Sequence, residues 1–390
     1  MSIYIEIKDP QKDMEEKIRM HKRQRIIHNL LWIGGIFLVI LSTFLLVEMQ
    51  TYTHQKVIRS YKGNISSGEY VEFGKGFLKY TRDGIEYLDT RGRAQWNQSY
   101  QIKDPMVIVN GNSGAVAEKG GNDIIVFNKK GPQGNIHTNY PIEKLVISPG
   151  GIVGALLKNE AKPQILCFNT DGEVLIEHQS TINGRGYPIG MAISPDGTLL
   201  QVSYLCVEDG VQATRVSYYN FGKKASEKDN FLVTEDIYKN KVIPETIFLS
   251  NNRSVLISDN SVLFYKGDEK PKKEKEIKLD KNIISFFHDD DYLGFLLANK
   301  NQEGCELRLY NMSGKLKLSK TIDEKVGKVK ISDGSVIIYN GNQCDIYTTM
   351  GVHKFDGQMK EDILQIRKLP GINRYLVISR SGITQIRLVK

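Results

Sequence analysis

The sequence contains little cysteine, proline or tryptophan: 4, 11 and 2 residues, respectively, among 390. No two cysteines have the Cys-x-x-Cys spacing of a zinc or redox motif. The four lie at Cys167, Cys206, Cys305 and Cys344, each in a separate strand-like segment. This arrangement argues against a small disulfide-stabilised scaffold, and we predict free, buried thiols. With 40% hydrophobic and 25% charged residues, the composition is that of a globular protein.

Motifs of the common catalytic and cofactor-binding sites are also missing. The seven histidines show no His-x-His or His-x-x-x-His spacing, and no Gly-x-Ser-x-Gly motif occurs. His288 precedes three aspartates, Asp289 to Asp291, which could bind a hard cation, but we interpret this run as a solvated turn. The formal charge of +8 is spread along the chain. We therefore predict no catalytic residue, no metal site, no cofactor and no nucleic-acid partner.

One long uncharged segment is present, near the N-terminus. Residues 26–47 contain no charged side chain. In a helix these 22 residues span about 33 Å, enough for the roughly 30 Å hydrocarbon core of a bilayer. A cleaved signal peptide is the alternative, but its apolar region is usually shorter and ends in a small-x-small cleavage site, which is missing here. The sequence predicts an uncleaved transmembrane helix at 26–47.

Basic residues predict the orientation of this helix. The cluster Lys22-Arg23-x-Arg25 directly precedes it, whereas the nearest basic residues after it are Lys56 and Arg59. The positive-inside rule places such a cluster in the cytoplasm. We predict a cytoplasmic basic tail at 1–25, with residues 11–25 extending the helix, a juxtamembrane linker at 48–56 and an extracytoplasmic domain at 57–390, anchored in the plasma membrane.

A repeat occupies the remainder of the sequence. Each unit begins with two apolar segments joined by a turn, as in AISPDGTLL at 192–200, and then has a turn of the type aromatic-Asn-x-x-Gly. The glycines of this second turn are 37 to 50 residues apart. The first turns lie near Gly74, Asn110, Ser148, Ser194, Ser250, Asp289, Asp333 and Pro370, and the second at Gly92, Gly131, Gly172, Gly222, Gly267, Gly314 and Gly351.

Four short strands in each repeated unit are typical of a β-propeller. The fold class is therefore all-β, a propeller of four-stranded blades, with eight blades favoured and seven possible. The last unit provides only three strands. The segment 55–61, QKVIRSY, would supply its missing outer strand and so remove an exposed sheet edge.

The residues of these turns resemble known propeller repeats. LDTRGRAQW at 88–96 is similar to the quinoprotein-type repeat, and the SPDG turn is similar to that of WD40-like periplasmic propellers. The whole layout of basic tail, single helix and exported propeller resembles an uncharacterised domain-of-unknown-function family of Gram-positive single-pass membrane proteins. The resemblance implies a fold and no reaction. No Cys-Cys pair of the quinone-dependent dehydrogenases is present, so no quinone cofactor is expected.

Two segments interrupt the repeat and are candidates for binding. We interpret 179–190 and 221–245 as long connections that project from one rim, and the mixed-charge run 268–278 as a crossing between blades. In the first connection, Arg185 and Tyr187 are of the residue types enriched at binding hot spots. A flexible loop without a partner is the alternative for this connection.

These observations predict a membrane-anchored extracytoplasmic propeller that acts as a scaffold. Its partners would be the cytoplasmic membrane, through one helix, and a protein or component of the cell envelope. An exported hydrolase or lyase that acts on envelope polysaccharide at a funnel active site is the alternative, because a single sequence does not show side chains that converge from several blades.

Overall fold

The computed structural model describes residues 10–62, 68–159, 162–179, 181–222, 231–299, 304–322 and 326–390. The described residues begin with helix α1, Pro10–Glu48, which has proline at its first position, where the missing N–H leaves no hydrogen bond unmade. Residues 11–25 therefore continue the apolar helix, as the sequence predicts.

The apolar part of α1 is not covered by protein. The stretch Arg19–Leu46 is long and apolar enough to cross a membrane, and none of its most apolar window is buried. Trp32 and Leu38, for example, are 64% and 66% exposed. Such a surface is unfavourable in water and needs an apolar environment. A single-pass membrane anchor and a signal sequence both have this property.

The described residues after α1 form eight four-stranded antiparallel sheets, the blades of a β-propeller. Blade 1 contains β2 (Glu69–Phe73), β3 (Gly76–Tyr80), β4 (Gly84–Leu88) and β5 (Ala94–Ser99), and blade 2 contains β6 (Pro105–Asn110), β7 (Ser113–Glu118), β8 (Asp123–Asn128) and β9 (Gly131–His137). Blade 3 contains β10 (Ile142–Ile147), β11 (Val153–Leu157), β12 (Gln164–Phe168) and β13 (Val174–Gln179). Blade 4 contains β14 (Tyr187–Ile193), β15 (Leu199–Glu208), β16 (Val211–Asn220) and β17 (Leu232–Lys239), and the short helix α2 (Ile182–Arg185) precedes it.

The second half of the ring repeats this plan. Blade 5 contains β18 (Glu245–Ser250), β19 (Arg253–Ile257), β20 (Ser261–Lys266) and β21 (Lys272–Lys278), and blade 6 contains β22 (Ile283–His288), β23 (Tyr292–Ala298), β24 (Cys305–Asn311) and β25 (Leu316–Ile322). Blade 7 contains β26 (Lys328–Ser332), β27 (Ser335–Asn340), β28 (Gln343–Thr348) and β29 (His353–Gln358). Blade 8 contains β30 (Gln365–Lys368), β31 (Arg374–Ser379), β32 (Gly382–Val389) and, as its outer strand, β1 (His54–Lys62).

Blade 8 therefore joins the two ends of the propeller. β1 pairs antiparallel with β32 from His54 opposite Val389 to Lys62 opposite Gly382. The predicted closure by 55–61 and the favoured count of eight blades are confirmed, and the alternative of seven is wrong. β1 begins three residues before the predicted domain boundary at 57, and Tyr52 already bridges to Phe355 of β29.

The second turn of the repeat has a common geometry. In blades 1 to 7 the pairing of the third strand with the outer strand shifts register at or beside the aromatic or apolar residue of the motif. In blade 3, Asn169 Oδ1 then accepts hydrogen bonds from the backbone N–H groups of Asp171 and Glu173, at 3.0 and 2.9 Å. Gly172 follows with φ of +86°, a conformation that favours glycine. The motif thus encodes a bulge and an Asx turn.

The antiparallel order gives the ring two distinct faces. The turns between first and second strands and between third and outer strands lie on one face, where the chain also enters β1; we call this the entry face. The opposite face, which carries the second-to-third-strand turns and the connections between blades, is the far face. The hydrophobic core consists of separate clusters, such as that between blades 7 and 8, which includes Tyr52 and Phe355.

All four cysteines are free. Cys167, Cys305 and Cys344 are buried as predicted, and burial raises the pKa of Cys167 to about 12. Cys206 is only half-buried, because it lies where β15 extends beyond the body of blade 4.

Candidate binding surfaces

Blade 4 has the longest strands of the ring. β15 and β16 have 10 residues each, whereas the corresponding strands of the other blades have 5 to 8. They form a hairpin whose tip, Asp209-Gly210, has φ of +49° and +77° and lies on the far face. Val207 beside the tip is 74% exposed and Val211 is 36% exposed. Because successive residues of a strand face opposite sides, the two valines lie on opposite sides of the hairpin, and each leaves an apolar side chain in water beside the polar tip.

Helix α2 packs beside this hairpin and is held by Arg185. The Arg185 guanidinium forms an ion pair with Glu235 of β17 and lies 3.5 Å from Ser217 Oγ. Glu235 also accepts a 3.0 Å hydrogen bond from Arg215. Arg215 in turn pairs with Glu208 near the hairpin tip, at 3.1 Å. Alternating charges therefore connect α2, the outer strand and the hairpin.

Tyr187, the second predicted contact residue, lies at the start of β14. Its hydroxyl donates a hydrogen bond to a Glu143 carboxylate oxygen of the preceding blade. Burial, together with this hydrogen bond, raises the pKa of Tyr187 to about 12. Arg185 and Tyr187 are thus close in sequence but bind different partners. Arg185 links α2 to β17, and Tyr187 links β14 to β10.

A buried polar group lies behind Arg185. His178 Nε2 is 3.0 Å from the Tyr204 hydroxyl, which is 3.1 Å from the Tyr219 hydroxyl. The guanidinium of Arg185 lies 6.0 Å from the centre of the Tyr219 ring. Burial, aided by the positive charge of Arg185, lowers the pKa of His178 to about 4. His178 is therefore neutral at physiological pH.

The sequence did not indicate the partners of Arg185. Glu235 lies in the segment 221–245 that was interpreted as a long connection. That interpretation is wrong for residues 232–239, which form the outer strand β17, while residues 223–230 lie outside the described residues. The run 268–278 is likewise mostly strand β21 rather than a crossing. Both segments are outer strands, which are largely exposed to water. They therefore contain many charged residues, and the alternation of apolar and polar residues that indicates a strand is missing.

The first strands of the blades surround a central funnel. A cavity of about 370 Å³ is lined by mostly apolar residues of blades 2 to 5 and by His288, Asp289 and Asp290 of blade 6. Asp289 Oδ1 accepts the backbone N–H groups of Asp291 and Tyr292 at 2.9 and 2.8 Å. It is therefore a turn-forming residue, as predicted. Burial raises the pKa of Asp289, and partial desolvation lowers the pKa of His288, although His288 remains largely exposed to water.

One group of three potential metal ligands occurs among the described residues. The ligand atoms of Asp345, His353 and Asp356 lie within 4.8 Å of one another on β28 and β29. His353 Nε2 is already 3.0 Å from Asp345 Oδ1, and the His353 ring stacks on Tyr347 with centroids 4.4 Å apart. An ion pair or hydrogen bond accounts for this contact, so the prediction of no metal site stays a prediction.

A family model describes most of this chain. Residues 48–388, which cover the propeller and its entry, match a family of unknown function, DUF5711. The chain belongs to the DUF5711 family. No curated protein matches it.

Solved structures with the same architecture share little sequence with the chain. Sqt1 from Saccharomyces cerevisiae has a TM-score of 0.51 at 10% identity and covers 87% of this chain and 100% of its own. AztD from Citrobacter koseri has a TM-score of 0.50 at 8% identity, covering 75% and 87%. BamB from Moraxella catarrhalis has a TM-score of 0.49 at 9% identity, covering 87% and 99%. At such identities the likeness establishes the propeller fold alone, and the quinoprotein part of the sequence resemblance stays a prediction.

Proposed function

We propose that this DUF5711 protein is a single-pass plasma-membrane protein that presents its propeller outside the cell as a protein-binding or envelope-binding scaffold. The apolar surface of α1 supports the anchor, and the basic residues before it support an N-terminus inside. Because β1 starts on the entry face, the far face is turned away from the point at which the chain leaves the membrane.

The observation that favours recognition is the projecting hairpin of blade 4. It stands on the far face, exposes Val207 on one side and Val211 on the other, and is braced on the Val211 side by the charge network of Arg185, Glu235 and Arg215. A projecting ladder that exposes apolar side chains beside charged ones has the mixture of residues found at protein interfaces. In this proposal, Arg185 and Tyr187 position α2 and β14 at the edge of that surface.

Site-specific photocrosslinking in intact cells tests the binding surface. A photoreactive amino acid at Val207 should yield a discrete crosslinked species that mass spectrometry identifies. The matched control is Leu175 on the outer strand β13, which is 50% exposed. Crosslinks of equal yield at both sites, or no crosslink at Val207, would contradict recognition by the hairpin.

Reporter fusions test the address separately. A reporter that is active only in the cytoplasm, fused after Lys390, should be inactive, and one that is active only outside should work. Cytoplasmic activity of the C-terminal fusion would overturn the proposed orientation, whatever the crosslinking shows.

A funnel enzyme is the second candidate, since His288 and two carboxyl groups line one cavity. Altered pKa values in a cleft are typical of catalytic groups. Asp289 is engaged by backbone N–H groups, which leaves His288 and Asp290 as the pair to test. Release of soluble fragments from isolated envelopes by the purified protein, lost in His288→Ala, would support this candidate.

A further inference from the structure

The connection between α1 and the propeller is very short. α1 ends at Glu48, and the Thr51 hydroxyl already donates a 2.7 Å hydrogen bond to the His353 carbonyl oxygen. The three steps from Glu48 to Thr51 can extend over about 11 Å at most. The part of the entry face around His353 must therefore stay close to the end of α1.

This connection is also fixed to the blade. The backbone N–H of Tyr52 donates to the Lys354 carbonyl oxygen at 2.9 Å, and the Asp356 N–H donates to the Tyr52 carbonyl oxygen at 3.2 Å. The Tyr52 ring is 8% exposed within the core of blades 7 and 8. Only Met49 and Gln50 thus lie between the end of α1 and the residues that are hydrogen-bonded to the blade.

An exposed apolar and basic rim lies beside this point. Met350, in the turn three residues before His353, is 81% exposed, and Leu316 at the start of β25 is 46% exposed. Lys315 and Lys317 flank Leu316 and are exposed. The turn that contains Met350 and the turn before β25 are neighbours. Leu318 Cδ1 of β25 lies only 2.8 Å from the position that a Cβ atom would occupy at Gly351. We call Lys315, Leu316, Lys317 and Met350 the membrane-side rim.

We propose that the membrane-side rim rests on the outer leaflet of the bilayer, with Met350 and Leu316 in the headgroup region and the two lysines at anionic lipid headgroups. The inference rests on the proposed membrane anchor. If α1 leaves the bilayer near Glu48, the short connection brings this rim to the lipid surface, where apolar and basic side chains are both favoured. The contact holds the ring in one orientation and directs the far face outward.

Spin labels on the full-length protein test the contact. In a Cys206→Ala background, labels are placed at Met350→Cys, at Val207→Cys as a similarly exposed far-face control, and at Leu38→Cys in the apolar part of α1. The protein is compared in detergent and in vesicles containing phosphatidylglycerol and phosphatidylcholine. Collisions with a water-soluble nickel chelate should fall severalfold at Met350 on transfer to vesicles, and should not change at Val207.

The three sites separate the possible outcomes. A protected Leu38 label with an accessible Met350 label would overturn the rim contact and leave the anchor intact. An accessible Leu38 label would overturn the anchor and the rim contact together. Protection of Val207 equal to that of Met350 would also overturn the proposed orientation.

Charge reversal tests the role of the lysines. Lys315→Glu with Lys317→Glu should weaken the protection at Met350 in anionic vesicles and have no effect in purely zwitterionic ones. The matched control reverses two exposed far-face lysines, Lys119→Glu with Lys158→Glu. An equal loss of protection in this control would argue against specific contact by the rim.

Discussion

Blades 8 and 4 depart from the common blade in opposite ways. Blade 8 takes its outer strand from the far end of the chain, so that β1 and β32 bring residues 54 and 389 side by side. Blade 4 takes all four strands from one stretch of sequence, 187–239, and its two middle strands have 10 residues each. The first change closes the ring and fixes the connection to α1, whereas the second adds surface.

The difference shows how one repeat can serve two purposes. In blade 8 the N-terminal strand β1 pairs with β32 along its length, Val57 packs against the core, and Tyr52 just before β1 is buried in it, so these contacts stabilise the fold. In blade 4 the added residues protrude, and their contacts are ion pairs at the blade edge. Changes in blade 8 should therefore affect global stability, and changes at the edge of blade 4 should affect local structure.

The largest effect is expected for Tyr52→Ala. This change removes a buried aromatic ring from the cluster of blades 7 and 8 and should lower the free energy of unfolding by about 3 kcal/mol. Urea denaturation of the detergent-solubilised protein measures it. Thr53→Ala, an exposed neighbour, should change the free energy by less than about 0.5 kcal/mol. If Tyr52→Ala lowers the free energy of unfolding no more than Thr53→Ala does, Tyr52 does not contribute to ring closure.

Much of this architecture was predictable because its causes are local. The Asn169 and Gly172 turn encodes its own geometry, and its recurrence revealed the blades. The closure by 55–61 followed from counting strands. Contacts between distant residues were not predictable: Glu143 lies 44 positions before Tyr187, and Glu235 lies 50 after Arg185. The sequence alone suggested the two residues as binding candidates. It did not show that each already has a partner within the chain.

A smaller, pH-dependent effect is expected at His178. Its pKa of about 4 in the folded protein lies below the ordinary 6.5, so the unfolded chain binds the proton more readily. Stability from this group is complete above pH 6.5 and is lost as the pH falls toward 4; at pH 5 the loss is about 2 kcal/mol. Urea titrations at pH 7 and pH 5 measure it.

A matched pair of variants isolates that effect. His178→Gln should remove most of the difference between pH 7 and pH 5, whereas His137→Gln, at a histidine whose side chain is 71% exposed, should retain it. If His178→Gln shows the same pH dependence as the unaltered protein, then other groups cause it and His178 is not buried as a neutral side chain.

The smallest effect, and the most local, is expected for Arg185→Ala. Arg185 and Glu235 side chains are 29% and 25% exposed, so solvent weakens their ion pair, and its loss should cost about 1 kcal/mol. Glu235 retains Arg215, so β17 should stay in place. The amides of Arg185 and Gly186, which donate to the Thr181 and Ile182 carbonyl oxygens, should exchange hydrogen about fivefold faster. Lys239→Ala, which removes the exposed pair with Asp209 in the same blade, should leave that exchange unchanged. Faster exchange throughout blade 4 in Arg185→Ala would instead mean that the charge network stabilises the whole blade. In that case Arg185 would not act locally on α2, the edge of the proposed binding surface.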